Sequence, residues 1–140
     1  MLVNVSYKNP DLEKEIDAEV GQAYSLMKRI KMGGNGSPKL WVNECSKEID
    51  ELFSLDHNNN TCNIELRPRG ITIRFRSLLE TFALVIPYYK LSIYKGSSFE
   101  YSVYRDQHFM KIKSDQEPVQ VFFRELIKKK ANYSRFVTPE

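Results

Sequence analysis

Only two cysteines and two histidines occur among the 140 residues, and so small a stock rules out the disulfide framework by which small secreted domains are stapled. No Cys-x-x-Cys, His-Glu-x-x-His or Gly-x-Ser-x-Gly spacing occurs, so the usual short signatures of redox, zinc-protease and serine-hydrolase chemistry are missing. Long hydrophobic runs are missing too. The longest, Thr81 to Tyr89, is less than half of the roughly 20 residues that cross a bilayer. The N-terminal residues lack both a basic leader and an apolar core with a small-residue cleavage site, so a cytoplasmic chain is expected, with Cys45 and Cys62 as small core or half-buried residues of a reducing compartment.

What is present is an ordinary globular composition, 41% hydrophobic and 28% charged, with aromatic content of 12% that leans toward strands. A domain of this length can bury about 70% of the surface its unfolded chain exposes, so no metal or cofactor is needed to hold it together. The net charge of +3 hides an asymmetry: residues 1–66 carry 7 Lys/Arg against 11 Asp/Glu, and residues 67–140 carry 14 against 7. The halves are therefore −4 and +7, which points to an anionic partner for the second half or to docking of the acidic N-terminal helix beside it.

One domain is expected over residues 1–140, with an N-terminal helical segment (1–56) and a sheet closed by a C-terminal helix (57–134). Asn9 caps a first helix with Pro10 at its first position, and Leu12, Ile16, Val20, Ala23, Met27 and Ile30 draw one apolar stripe that runs to about Met32, where Gly33-Gly34-Asn35-Gly36 stops the chain. That stripe suits the chain's own sheet or, at a period near three and a half, a second copy of the helix, so a homodimer through it stands as the alternative. Lys39 to Val42 reads as a short strand or an extended packing segment, and Ser46 caps a second helix to Leu55 with Ile49, Leu52 and Phe53 on one face. Asp56 to Asn60 is a turn-rich break.

From Thr61 onward the pattern has period two. Cys62, Ile64 and Leu66 alternate with polar residues, Pro68-Arg69-Gly70 turns, and Ile71, Ile73 and Phe75 alternate with Thr72, Arg74 and Arg76. Thr81 to Ile86 is a continuous apolar strand ending at Pro87. Tyr89, Leu91 and Ile93, then Phe99, Tyr101 and Val103, then His108, Met110 and Ile112 follow as strands, with turns at Gly96-Ser97-Ser98 and Asp106-Gln107. Asp115 is expected to cap a terminal helix whose Val119, Phe122, Phe123, Leu126 and Ile127 share one face and which Lys128-Lys129-Lys130 closes. The fold class is α+β, a bent antiparallel sheet or partly open barrel.

The run Ile71 to Arg76, the junction Ile86-Pro87-Tyr88, the strands through Lys113 and the helix from Pro118 to Lys130 resemble bacterial pleckstrin-homology-like domains over residues 61–132. The resemblance implies seven strands, one helix plugging the end of a strongly bent barrel, and a binding role. Six strands are counted here, so Leu2 to Ser6 or Lys39 to Val42 must supply another.

For function, His57 in the Asn-rich turn and His108 on a strand read as surface or core-edge histidines, and no carboxylate pair sits where its pKa would rise toward that of a general acid. The sharper signal is four arginines in one hairpin. Arg67, Arg74 and Arg76 share the outward face and Arg69 occupies the turn, an arrangement of planar donors suited to phosphate or carboxylate. The spacing resembles the basic signature with which some pleckstrin-homology domains hold phosphoinositide headgroups, with Arg where that signature begins with Lys. The expectation is a non-enzymatic binding or scaffolding module for an anionic lipid surface or a protein partner. Two alternatives stand beside it. One is a small ligand-pocket enzyme with the N-terminal helix in a curved sheet's concave face. The other is a single-stranded nucleic-acid binder using Arg74-Phe75-Arg76 with Tyr88, Tyr94, Tyr101 and Tyr104.

Overall fold

A computed structural model describes residues 1–56, 60–96 and 99–137, with side chains described through residue 134. His57, Asn58 and Asn59 of the expected break and Ser97–Ser98 of the expected turn lie outside the described residues. The elements run β1 (Leu2–Asn4), α1 (Pro10–Val20), α2 (Leu26–Met32), β2 (Leu40–Cys45), α3 (Lys47–Ser54), β3 (Thr61–Arg67), β4 (Gly70–Ser77), β5 (Glu80–Pro87), β6 (Ser92–Lys95), β7 (Glu100–Arg105), β8 (His108–Lys113) and α4 (Glu117–Val137). Among the described residues one antiparallel sheet of eight strands forms in the order β1-β5-β4-β3-β2-β8-β7-β6. It does not close on itself. The α+β class holds, and residues 1–56 contribute two strands to the sheet besides their helices.

Alternation along the strands sorts the side chains onto two faces. On the inner face, Ile64, Ile71, Ile73, Leu84, Ile86, Met110 and Ile112 are buried together with Ile49 and Phe53 of α3 and Val119, Phe122, Phe123 and Leu126 of α4. Phe123 stacks on Tyr101 with ring centroids 4.5 Å apart, and Phe53 meets Phe75 at 5.0 Å. On the opposite face a second, smaller cluster joins Ile16 and Val20 of α1 to Ala83 and Val85 of β5. The continuous apolar run of β5 is thereby explained, because both of its faces are covered.

The single helix expected from Asn9 to Met32 is in fact two. Asn9 caps α1 as expected, its side chain accepting from Leu12 N at 3.1 Å. At Gly21 the backbone turns to φ +86°, and a Cβ there would sit 3.1 Å from the Pro68 ring, so glycine ends the helix where the β3–β4 turn crosses it. Ser25 then caps α2. The stripe divides with the helix: Ile16 and Val20 are buried, whereas Met27 and Ile30 are more than two-thirds exposed. The N-terminal half of the stripe covers the chain's own sheet.

Three further expectations shift. Ser46 stands at the N-cap of α3 as expected, but its hydroxyl makes no cap hydrogen bond and instead accepts from Phe109 N–H of β8 at 3.1 Å. Tyr88–Lys90 forms a single 3-10 turn between β5 and β6, so Tyr89 lies outside the strand. The terminal helix runs on past Lys130 to Val137, where Tyr133 packs on Tyr88 with centroids 5.4 Å apart. Asp115 pairs with Lys113 at 3.4 Å.

Candidate anion-binding site

The β3–β4 hairpin has the register that its alternation demands, with Asn63 opposite Arg74 and Leu66 opposite Ile71. Ile71, Ile73 and Phe75 fill the inner face, so Thr72, Arg74 and Arg76 point outward. The neighbouring strands extend that outer face: Arg74 faces Ala83, Arg76 faces Thr81, and Trp41 of β2 faces Thr61 of β3.

The four arginines of the hairpin divide into two pairs with different surroundings. Arg67 is 6% exposed and fully engaged: it donates to Glu65 at 2.9 Å, to Asp17 at 3.2 Å and to the Gly21 carbonyl at 2.8 Å. Arg69 donates through Nη2 to the Asp17 and Ala18 carbonyls at 3.0 and 3.2 Å. Both satisfy the last turn of α1, whose terminal carbonyls have no partner within the helix. Reading one long helix hides this, because it leaves no helix end near Gly21 for an arginine to meet.

Arg74 and Arg76 are exposed, and neither makes an ion pair or hydrogen bond among the described residues. With Lys39, Thr61, Asn63 and Thr81 they line an open groove of about 480 Å³. One carboxylate, Asp56, borders it, and that group accepts from Leu78 N at 2.8 Å. Arg74 also lines a smaller cavity of about 140 Å³ under α1, shared with Arg67, Glu13 and Asp17. Sequence reasoning missed Lys39 and Trp41. Lys39 Nζ lies over the Trp41 ring, 5.3 Å from its centroid, and Trp41 is 43% exposed between buried Leu40 and Val42. Strict alternation in β2 was the signal that could have found them.

Groups with catalytic potential sit elsewhere. His108 is 9% exposed, its Nε2 lies 3.9 Å from Glu48, and its Nδ1 has no hydrogen-bond partner among the described residues. Burial pushes the Cys62 thiol up to about 12 and, with Asp50 and Glu44 adding repulsion, that of Cys45 up to about 11, so both stay protonated and poorly nucleophilic at neutral pH. Among the described residues no three His, Cys, Asp or Glu side chains are grouped to hold a metal ion, and no helix is long and apolar enough to cross a membrane. Of the rings in the nucleic-acid reading, Phe75, Tyr88 and Tyr101 are buried; exposed Tyr94 lies on β6, with four strands between it and β4.

Comparison with known protein families, with curated proteins and with solved structures gives no match.

Proposed function

We propose that this chain is a non-enzymatic binding module of the pleckstrin-homology-like kind, and that its outer β2–β4 face receives an anionic group, phosphate or carboxylate. The observation that carries the reading is the pair Arg74 and Arg76, side by side on one strand, unpaired among the described residues, over a groove with Lys39 at its rim. Guanidinium forks spaced along a rigid strand are pre-positioned for a multidentate anion. Strands β2 to β8 supply the seven expected of the family, α4 follows them, and Ile86-Pro87-Tyr88 stands at the β5–β6 junction. The competing enzyme reading draws less support, since Phe122, Phe123 and Leu126 fill the inner side and α1 lies on the opposite face.

Pyrophosphate titrated into the protein at low salt, followed by calorimetry, tests the reading. Hydrogen bonds to charged groups contribute about 1.5–3 kcal/mol each, so Arg74→Ala with Arg76→Ala should weaken binding by at least about tenfold, and added salt should weaken the wild type. Equal binding by wild type and double variant, or none by either, would remove this face as the site.

A further inference from the structure

The β4–β5 hairpin ends in a two-residue tip, Leu78–Leu79, between the paired Ser77 and Glu80. This tip breaks two rules at once. Leu78 adopts φ +57°, a left-handed conformation that hairpin tips normally give to Gly, Asn or Asp. Leu79 is 89% exposed, the most exposed large apolar side chain among the described residues, and Leu78 is 57% exposed. Leu55, 60% exposed at the end of α3, stands beside them, and the three border a surface cavity of about 330 Å³ whose floor holds Leu52 and Phe82. The tip is held in place, because Asp56 accepts from Leu78 N and Ser77 Oγ donates to the Leu52 carbonyl at 2.5 Å.

Charge decides what meets this apolar tip. Arg76 and Arg74 follow it down β4, and at about 3.3 Å per residue their Cα atoms stand roughly 7 and 13 Å behind Leu78. Interfacial apolar side chains sink roughly 5–10 Å into the boundary between headgroups and acyl chains. The Arg76 guanidinium thus falls at headgroup depth when the leucines reach the acyl chains, and Arg74 and Lys39 fall just outside it. The two carboxylates flanking the tip are engaged: Asp56 holds the Leu78 amide, and Glu80 accepts from Asn4 Nδ2.

We infer that the Leu78–Leu79 tip, with Leu55, inserts into the interface of an anionic lipid bilayer while Arg74 and Arg76 contact its headgroups. This rests on the anion-binding reading above and names the anion's source as a membrane surface.

Flotation with vesicles of phosphatidylcholine mixed with phosphatidylglycerol, beside pyrophosphate titration, separates the two ideas. The variant Leu78→Asn with Leu79→Gln places residues suited to a tip, so its thermal midpoint should equal or exceed that of the wild type. Its vesicle retention should fall at least tenfold while its pyrophosphate affinity stays within twofold. Wild-type protein should ignore pure phosphatidylcholine. Equal retention of both proteins would overturn insertion. Wild type that binds pyrophosphate but no vesicle would overturn the membrane while leaving the anion site, and wild type that binds neither would remove both.

Discussion

Arg105, at the end of β7, holds the carboxylate of Glu19 in α1 with two hydrogen bonds, Nη2 to Oε1 at 2.9 Å and Nη1 to Oε2 at 3.3 Å. The same Nη1 donates to the Val85 carbonyl of β5, and the side chain is 9% exposed. One guanidinium therefore ties a helix, an inner strand and the β7–β8 turn together. Removing Glu19 leaves a largely buried cation with one carbonyl and a distant Asp106 at 3.6 Å. Glu19→Ala should cost about 1–3 kcal/mol, and Arg105→Ala a similar amount. In a double-mutant cycle by urea denaturation the two losses should be markedly non-additive. Additive losses would mean that the pair contributes nothing as a pair.

Gly70 opens β4 directly beneath α1. A Cβ at this position would clash with the Ile86 carbonyl oxygen and lie 2.7 Å from Pro87 Cα and Val20 Cγ1. Gly70→Ala should destabilise by about 1–3 kcal/mol or more. Adding Val20→Ala should not restore the midpoint, because two of the three obstructions are backbone.

Phe123 is fully buried against Tyr101, whereas Ile127, one turn on, is 40% exposed. Phe123→Ala should cost about 3–5 kcal/mol. Ile127→Ala should cost much less, and similar midpoint shifts for the two in chemical denaturation would show that α4 does not plug the sheet.

Stability should decline in alkali through the thiols. The Cys62 pKa rises from 9.0 to about 12 on folding through burial, so the unfolded chain gives up its proton first. The stabilisation is complete below pH 9 and is lost as pH climbs from there toward 12, at up to about 1.4 kcal/mol per pH unit. The stability of the wild type relative to Cys62→Val should therefore fall between pH 8 and 11 in urea melts. A constant difference would show that this thiol does not titrate with unfolding.

Strands were legible because period two is a local signal: Cys62, Ile64 and Leu66 against Ile71, Ile73 and Phe75 suffice for register, and the inward side of Phe75 follows. The terminal helix was legible from Val119, Phe122, Phe123 and Leu126. Long-range contacts were not. Gly21 falls within the apolar stripe, and the residues that meet the helix end there, Arg67, Pro68 and Arg69, lie far along the chain. β1 is three residues long and becomes a strand by pairing Val3 with Ala83. The same blindness applied to the arginines, since Arg67 and Arg74 are chemically alike, yet Asp17 and the end of α1 engage the first and leave the second open.

The attachment of α1 has a consequence for the order in which the molecule comes apart. Its polar ties run to Arg67, Arg69 and Arg105, none of which has its position until β3, β4, β5 and β7 are assembled, and its apolar contact is the small cluster around Ala83 and Val85. Such an element docks late and detaches early, as a partial opening below the global unfolding energy. In amide exchange, α1 should lose protection before β4. Each opening would uncover an apolar strand face together with three arginines at once.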